Sequence, residues 1–384
     1  MKTIVSFACA AALAVCAACS RDPLVSSRKY LASGDAYAQA GKYKDAIIEY
    51  RNAAQVAPAT AAPHLKLGEA AMQSGDVGGA MDEYLLASSL EPQNATAQVR
   101  AASVYLLNGR FAEARAHAEA AIRLSPDDPD AHLLLGEALA TQHDVVHSEA
   151  QLIVAVRLAP ASADAHTALG SLYWSTHRLD EAEKELKRAV AIAPKATAPN
   201  RALASFYLEN SRFADAQPPL EQLIANNPQD VAAILERSHV LVMTGRTADA
   251  MAAVDAASRI DPDSARVMLA RANVLLRQKR VDDGIWWALR ARERHPDDFA
   301  PPLRLALAQI LETGGRRQAA EQEYAAILKK APRNWIAANN LAWMYAADGR
   351  LDDAVRLART ASTEAPDNPQ VKDTLQKILR RTAG

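Results

Sequence analysis

At 384 residues, 49% hydrophobic and 23% charged, the chain has the composition of a folded protein and not of a disordered or fibrous one. A formal net charge of -1 leaves no electrostatic footprint for nucleic acid and no polybasic patch for anionic lipid. Aromatic residues make up only 5% while alanine is abundant, a balance that suits closely packed helices and suits sheets poorly.

The chain opens MKTIVSFACAAALAVCAACSRDP, and its three cysteines, Cys9, Cys16 and Cys19, all lie there. Lys2 supplies a short positive start, and the apolar run from Ile4 to Ala18 is too short to span a bilayer, which predicts a secretory signal over residues 1–18. The small residues Ala17 and Ala18 precede Cys19, whereas Val15 precedes Cys16. The piece VCAACS resembles a bacterial lipoprotein lipobox, in which the cysteine becomes the first mature residue and carries lipid. That resemblance implies lipidation at Cys19 and a lipidated linker over 19–26. With Ser20 next to it in place of an aspartate, it also implies the periplasmic side of the outer membrane of a Gram-negative bacterium. The alternative is an ordinary cleavable signal with an incidental cysteine. On the lipoprotein reading neither a free thiol nor a disulfide remains, and packing alone must hold the mature chain.

Beyond this segment one residue type exposes a repeat. Proline stands at 58, 92, 126, 160, 194, 228, 262 and 296, each step being 34 residues; after a step of 36 it returns at 332, and 34 later at 366. Each proline follows a helix-like run and ends it. In this register the eighth position reads Gly34, Gly68, Ala102, Gly136, Gly170, Ala204, Ser238, Ala272, Ala308 and Ala342. The twentieth reads Ala46, Ala80, Ala114, Ser148, Ala182, Ala216, Ala250, Gly284, Ala320 and Ala354. Such an unbroken set of small residues predicts two antiparallel helices per repeat that cross closely. Tyr37, Tyr105, Tyr173, Tyr207 and Tyr345 at the eleventh position, and Tyr50, Tyr84 and Tyr324 at the twenty-fourth, are expected to fill the seam.

Spacing, small positions, large positions and terminal proline together resemble the tetratricopeptide repeat family, over residues 27–368. The resemblance implies an all-α solenoid of about ten helix pairs, wound as a right-handed superhelix whose inner groove is lined mainly by the first helix of each pair. It also implies a C-terminal capping helix over 369–384, where Val371, Leu375, Ile378 and Leu379 form one apolar stripe. Two places depart from the pattern. Pro218-Pro219 should delay or bend the second helix of repeat six, and the two extra residues fall in the loop 297–302; either is a candidate hinge.

Chemistry-bearing motifs are missing from the sequence: there is no Walker loop, GxGxxG, GxSxG or HExxH, so an enzyme is not expected, nor a cofactor, metal or small-molecule substrate. His143 and His147 have ligand-like spacing, yet His143 and His177 occupy the fifteenth position, where glycine stands in six other repeats and a left-handed turn is expected. His64, His132 and His166 share the fourth position and read as packing residues. Trp286-Trp287 read as core filling beside Gly284 and Ala288, with an exposed contact patch as the alternative.

What remains is the groove. The resemblance places the fifth, ninth and twelfth positions inward, which gives an apolar lining with polar residues spread unevenly along it. The candidate binding residues are Asp35, Glu69, Glu137, Trp174, Arg201, His239, Leu269, Asn273, Asn339 and Trp343, acids in the first half and bases in the second. The stretches YLASGDAYAQAGKYKDAIIEYRNAAQVAP and NNLAWMYAADGRLDDAVRLA also resemble repeat lipoproteins of exopolysaccharide and exosortase-type systems. The expected function is therefore a protein–protein interaction scaffold for an envelope export system, binding envelope proteins through its groove and the membrane through its lipid. The alternative is a pilotin-like escort for an outer-membrane secretin or pilus component.

Overall fold

The computed structural model describes residues 22–296 and 299–382. The signal segment and Cys19 lie outside the described residues. Among these residues the chain is all-helical, with 21 α-helices and no strand. It divides into two compact units, Met1–Ala193 and Pro194–Gly384.

The first unit holds five helix pairs: α1 Pro23–Gln39 with α2 Tyr43–Val56, α3 Ala61–Ser74 with α4 Val77–Leu90, α5 Ala95–Leu107 with α6 Phe111–Leu124, α7 Pro129–Thr141 with α8 Val145–Leu158, and α9 Ala163–Ser175 with α10 Leu179–Ile192. The second holds α11 Thr197–Glu209 with α12 Phe213–Asn226, α13 Val231–Met243 with α14 Thr247–Ile260, α15 Ala265–Arg277 with α16 Val281–Arg294, α17 Pro301–Thr313 with α18 Arg317–Lys330, and α19 Trp335–Ala347 with α20 Leu351–Glu364. The helix α21, Pro369–Thr382, closes it. Since α1 begins at Pro23, residues 23–26, placed in a linker on sequence grounds, are helical.

All twenty small residues of the eighth and twentieth positions are buried. The reason is visible at the glycines. A Cβ on Gly68 would lie 2.4 Å from the Tyr84 ring, one on Gly34 2.4 Å from Tyr50, and one on Gly136 2.6 Å from Leu152. The large residue of the second helix thus lies flat on the backbone of the first. Two serines join the same crossing covalently distant backbones by hydrogen bonds: Ser148 Oγ donates to Gly136 O at 2.8 Å, and Ser238 Oγ to Ala250 O at 3.1 Å.

The turn inside each pair is equally uniform. The fifteenth residue is left-handed in all ten repeats, six times glycine and otherwise His143 (φ 62°), His177 (59°), Ser211 (57°) and Lys279 (63°). The next amide donates five residues back, as Arg178 N to Tyr173 O at 2.9 Å, so the first helix ends in a Schellman-type closure. Where that next residue is arginine and the residue it closes on is tyrosine, the guanidinium lies over the ring, 4.1 Å from the Tyr173 centroid for Arg178 and 3.6 Å from Tyr345 for Arg350. It then reaches forward to an acid three residues on, as Arg110 to Glu113 and Arg178 to Glu181.

In repeats two to five the fourth position ties the first helix to its own partner. His132 Nδ1 meets Gln151 Oε1 at 2.7 Å and its Nε2 meets the Pro126 carbonyl at 2.9 Å; His166 does the same with Glu185 and Pro160. These histidines therefore satisfy the carbonyl of the helix-ending proline. His147 pairs with Asp144, the N-cap of α8.

Several expectations need correction. Pro218 and Pro219 sit inside α12, which starts at Phe213 and runs 14 residues like its equivalents, because buried Ala216, Pro219, Leu220 and Leu223 anchor its inner face. Tyr37 is exposed and Tyr105 half-buried, so only Tyr173, Tyr207 and Tyr345 fill the seam from the eleventh position. In α21 it is Thr374 that is buried, while Leu379 is exposed. The space at Gly284 is taken by the Ala272 carbonyl and Leu276, not by an indole; Trp287 is half-buried and Trp286 is 52% exposed. The inserted residues precede α17 and contribute a core side chain, Phe299. Beside it a buried carboxylate, Glu323, is clamped between Arg292 at 2.5 Å and Arg304 at 2.6 Å.

Two glycines of neighbouring helices separate packing from propensity. Gly68→Val drives methyl groups into the Tyr84 ring and is expected to cost about 1–3 kcal/mol. Gly78→Ala, whose Cβ meets nothing closer than 4.0 Å, is expected to gain about 0.5 kcal/mol from helix propensity. Urea unfolding of the two variants measures both, and equal effects would contradict the assigned crossing.

Candidate functional site

Each unit carries a hollow lined mostly by the first helices of its pairs. In the first unit a cavity of about 780 Å³ lies over α1, α3 and α5 and is walled by a charge ladder. Lys66 stands 3.4 Å from Asp35 and 3.3 Å from Glu69, and Arg100 stands 3.5 Å from Glu69. The buried Tyr50 donates its hydroxyl to Asp35 at 2.8 Å. Burial first, then that carboxylate, pushes the Tyr50 phenol well above its ordinary range. Desolvation works against the Lys66 ammonium, but Glu69 and Asp35 outweigh it and hold it charged.

The second unit's hollow is smaller, about 400 Å³, and more apolar. Leu235 of α13, Leu269 and Leu276 of α15, and Leu303, Ala306 and Ile310 of α17 form its floor, with Leu208 of α11 at one side. Glu236, His239, Arg266, Asn273 and Gln309 supply a polar margin. Desolvation, reinforced by Arg277, holds the His239 imidazole below its ordinary value and keeps it neutral; the Phe213 ring meets it edge-on at 5.6 Å. Arg201 is not a free cation: its guanidinium meets Glu236 at 2.8 Å and Asp230 at 2.5 Å. Burial raises the Glu236 carboxyl against the pull of that arginine.

Among the sequence candidates, Asp35 and Glu69 thus share the first hollow, and His239, Leu269 and Asn273 the second. Arg201 stands behind the second hollow through Glu236. Trp174 is half-buried at the end of α9. Asn339 is half-buried with its Oδ1 lacking a partner among the described residues. The 39% exposed Trp343 is bracketed by cations of α21, Arg381 at 5.3 Å and Lys377 at 5.9 Å. The acids of the first unit and the base of the second are largely neutralised by internal pairs. Lys66 and Arg100, which do the neutralising, went unseen in the sequence because their partners lie 31 residues away, one repeat earlier.

Glu137 differs from the other ninth-position acids. Asp35 and Glu69 each meet a base at the sixth position of the next repeat, but that position in the next repeat after Glu137 is Ala168. Burial, then Asp164, pushes its carboxyl up to about 7. A raised acid binds its proton in the folded state over a range where the unfolded chain, near 4.5, has lost it, so stability falls as pH rises from there through about 7. Glu137→Gln should remove this decline and be more stable than the parent above neutral pH by roughly 1–3 kcal/mol. Thermal melts of the two proteins across that range provide the check; parallel pH profiles would overturn the assignment.

Family models agree with this architecture. One tetratricopeptide repeat model matches residues 99–152, 147–197 and 305–369, a second matches 207–274, and a TPR repeat model matches 34–75. Together they account for more than half of the chain. No curated protein matches the sequence. Among solved structures, yeast Tom70 is similar over 93% of this chain and 95% of its own, with a TM-score of 0.52 at 13% identity, a likeness of fold. PilF of Pseudomonas aeruginosa aligns with 53% of this chain and 93% of its own (TM-score 0.45, 18% identity), and a TPR protein of Thermus thermophilus with 48% and 100% (TM-score 0.44, 22% identity). No catalytic family is indicated. With matching repeats in both units, the chain belongs to the tetratricopeptide repeat family.

Proposed function

We propose that the protein is a non-enzymatic scaffold that captures a segment of a partner protein in the hollow of its second unit. Tetratricopeptide repeats serve in general as protein-binding modules, and the observation that carries this reading is the hollow itself. Leucine and isoleucine side chains from three successive first helices floor a space of about 400 Å³, and the rim is polar, with Glu236 paired to Arg201 and the cation Arg266 beside Asn273, Gln309 and His239. An apolar floor supplies affinity by burial, while Asn273, Gln309 and His239 at the margin can satisfy the backbone of an extended or helical segment.

On the resemblance of VCAACS to a lipobox, we place this scaffold at the outer membrane, facing the periplasm, in support of an exopolysaccharide or protein export system. Cys19 stands four residues before α1, a reach of at most about 14 Å, so a lipid on it would hold the first repeat close to the bilayer.

Gln309→Trp, which fills the hollow from an exposed position, should weaken partner capture about tenfold or more while leaving helicity unchanged; Asn273→Ala should weaken it less. In-cell photo-crosslinking from position 309 identifies the partner, and the same partners retained at the same strength by Gln309→Trp would refute the site. A secretin that fails to multimerise in a deletion strain would favour the escort function over the scaffold.

Replacing Cys19 with alanine should abolish incorporation of labelled fatty acid and release the protein from the membrane fraction. Incorporation that persists with Cys16 intact would refute the lipid assignment.

A further inference from the structure

The second unit has another hollow, on the opposite side of α15 from the first. It holds about 210 Å³ and lies among Met251 of α14, Arg271 and Leu275 of α15, Gln278 and Arg280 of the turn, and Asp283, Trp286 and Trp287 of α16. Its charges are closed on one another: Arg271 pairs with Asp255 at 2.7 Å, and Arg280 pairs through Nε and Nη2 with Asp283 Oδ2 at 2.8 Å. Gln278 donates its amide to the Thr247 carbonyl at 3.3 Å. Three groups remain without a partner among the described residues: Arg280 Nη1, a donor, and Gln278 Oε1 and Asp283 Oδ1, both acceptors.

The indoles sit at right angles, their centroids 5.1 Å apart. Arg271 covers the face of Trp287 at 5.1 Å, and Arg290, which does not line the hollow, lies 4.9 Å over Trp286. Trp286 nonetheless keeps 52% of its surface exposed. An indole joins a broad apolar surface to a polar edge, the combination that suits a wet binding interface.

We propose that this hollow binds one ring of a neutral glycan, with the apolar face of the pyranose against Trp286 and its hydroxyls on Gln278, Arg280 and Asp283. A sugar hydroxyl both donates and accepts, which matches a mixed set of free donors and acceptors. A phosphate or carboxylate only accepts, and would meet Asp283 and an arginine already neutralised. The volume suits a single ring, the rest of the chain of sugars lying outside it. The site is separate from the protein-binding hollow and does not depend on it.

Affinity electrophoresis through gels containing laminarin, dextran or hydroxyethyl cellulose, with polygalacturonate as the acidic comparison, tests the assignment on the full chain. At least one neutral polymer should retard the parent protein. Trp286→Ala should weaken that interaction about tenfold or more, Gln278→Ala should weaken it by a smaller factor, and Gln309→Trp should leave it unchanged. Circular dichroism confirms that the exposed-site variants keep their helices. Free migration in all three neutral gels, retardation by polygalacturonate alone, or retardation undiminished in both Trp286→Ala and Gln278→Ala would overturn the proposal.

Discussion

Everything in this chain depends on how closely two helices can approach at one crossing per repeat. At Gly68 the Tyr84 ring lies where a Cβ would be, and at Gly170 Leu186 does the same. Close-packed interiors tolerate neither a void nor an added methylene, so a small residue on one helix and a large one lying over it form a matched set. The set varies by compensation. Repeat three uses Ala102 with Ala118, whereas repeats one, two, four and five use glycine under tyrosine or leucine. Because the crossing fixes the angle of each pair, it also fixes which side chains reach the hollows.

Polar groups refine this arrangement without setting it. In four repeats the arginine that follows the left-handed turn stacks on a tyrosine and reaches an acid, but these contacts are largely solvent-exposed and contribute little each. The buried arrangement at Glu323 is a different matter. A carboxylate taken out of water needs both of its arginines, and one of them, Arg292, comes from the preceding repeat. That pair of contacts spans the place where two residues have been inserted, and Phe299 fills the space beside it. An interruption of the 34-residue period is thus stitched by a fixed charge network and an added ring.

Much of this was legible in the sequence, because the period, the helix-ending prolines, the small crossing residues and the left-handed position are all local signals. His143 and His177 were recognisable as turn residues only because glycine holds the same place elsewhere. What escaped depends on neighbours in space. Proline at 218 and 219 signals a broken helix when read alone, yet four buried side chains hold α12 to its full length. Thr374 displaced Leu379 from the buried face of α21, a matter of helix rotation by less than one residue spacing. Trp286 and Trp287 are adjacent in sequence and so point in different directions on a helix, one partly inward and one out. Of the groove residues, His239, Leu269 and Asn273 line one hollow, while the ion pairs that neutralise Asp35, Glu69 and Arg201 were invisible until neighbouring repeats were stacked.

The span of these contacts has a kinetic side. The crossing joins residues 12 or 16 apart, the fourth-position pairs join residues 19 apart, and the bridges between repeats join residues about 30 apart. No element has to wait for a distant part of the chain before it finds its partner, so the loop-closure entropy that slows sheet proteins is small here. Each repeat can collapse as soon as it and its predecessor are free, and an arrest partway along leaves ordered pairs on one side and an unfolded tail on the other, with little surface misassigned between them.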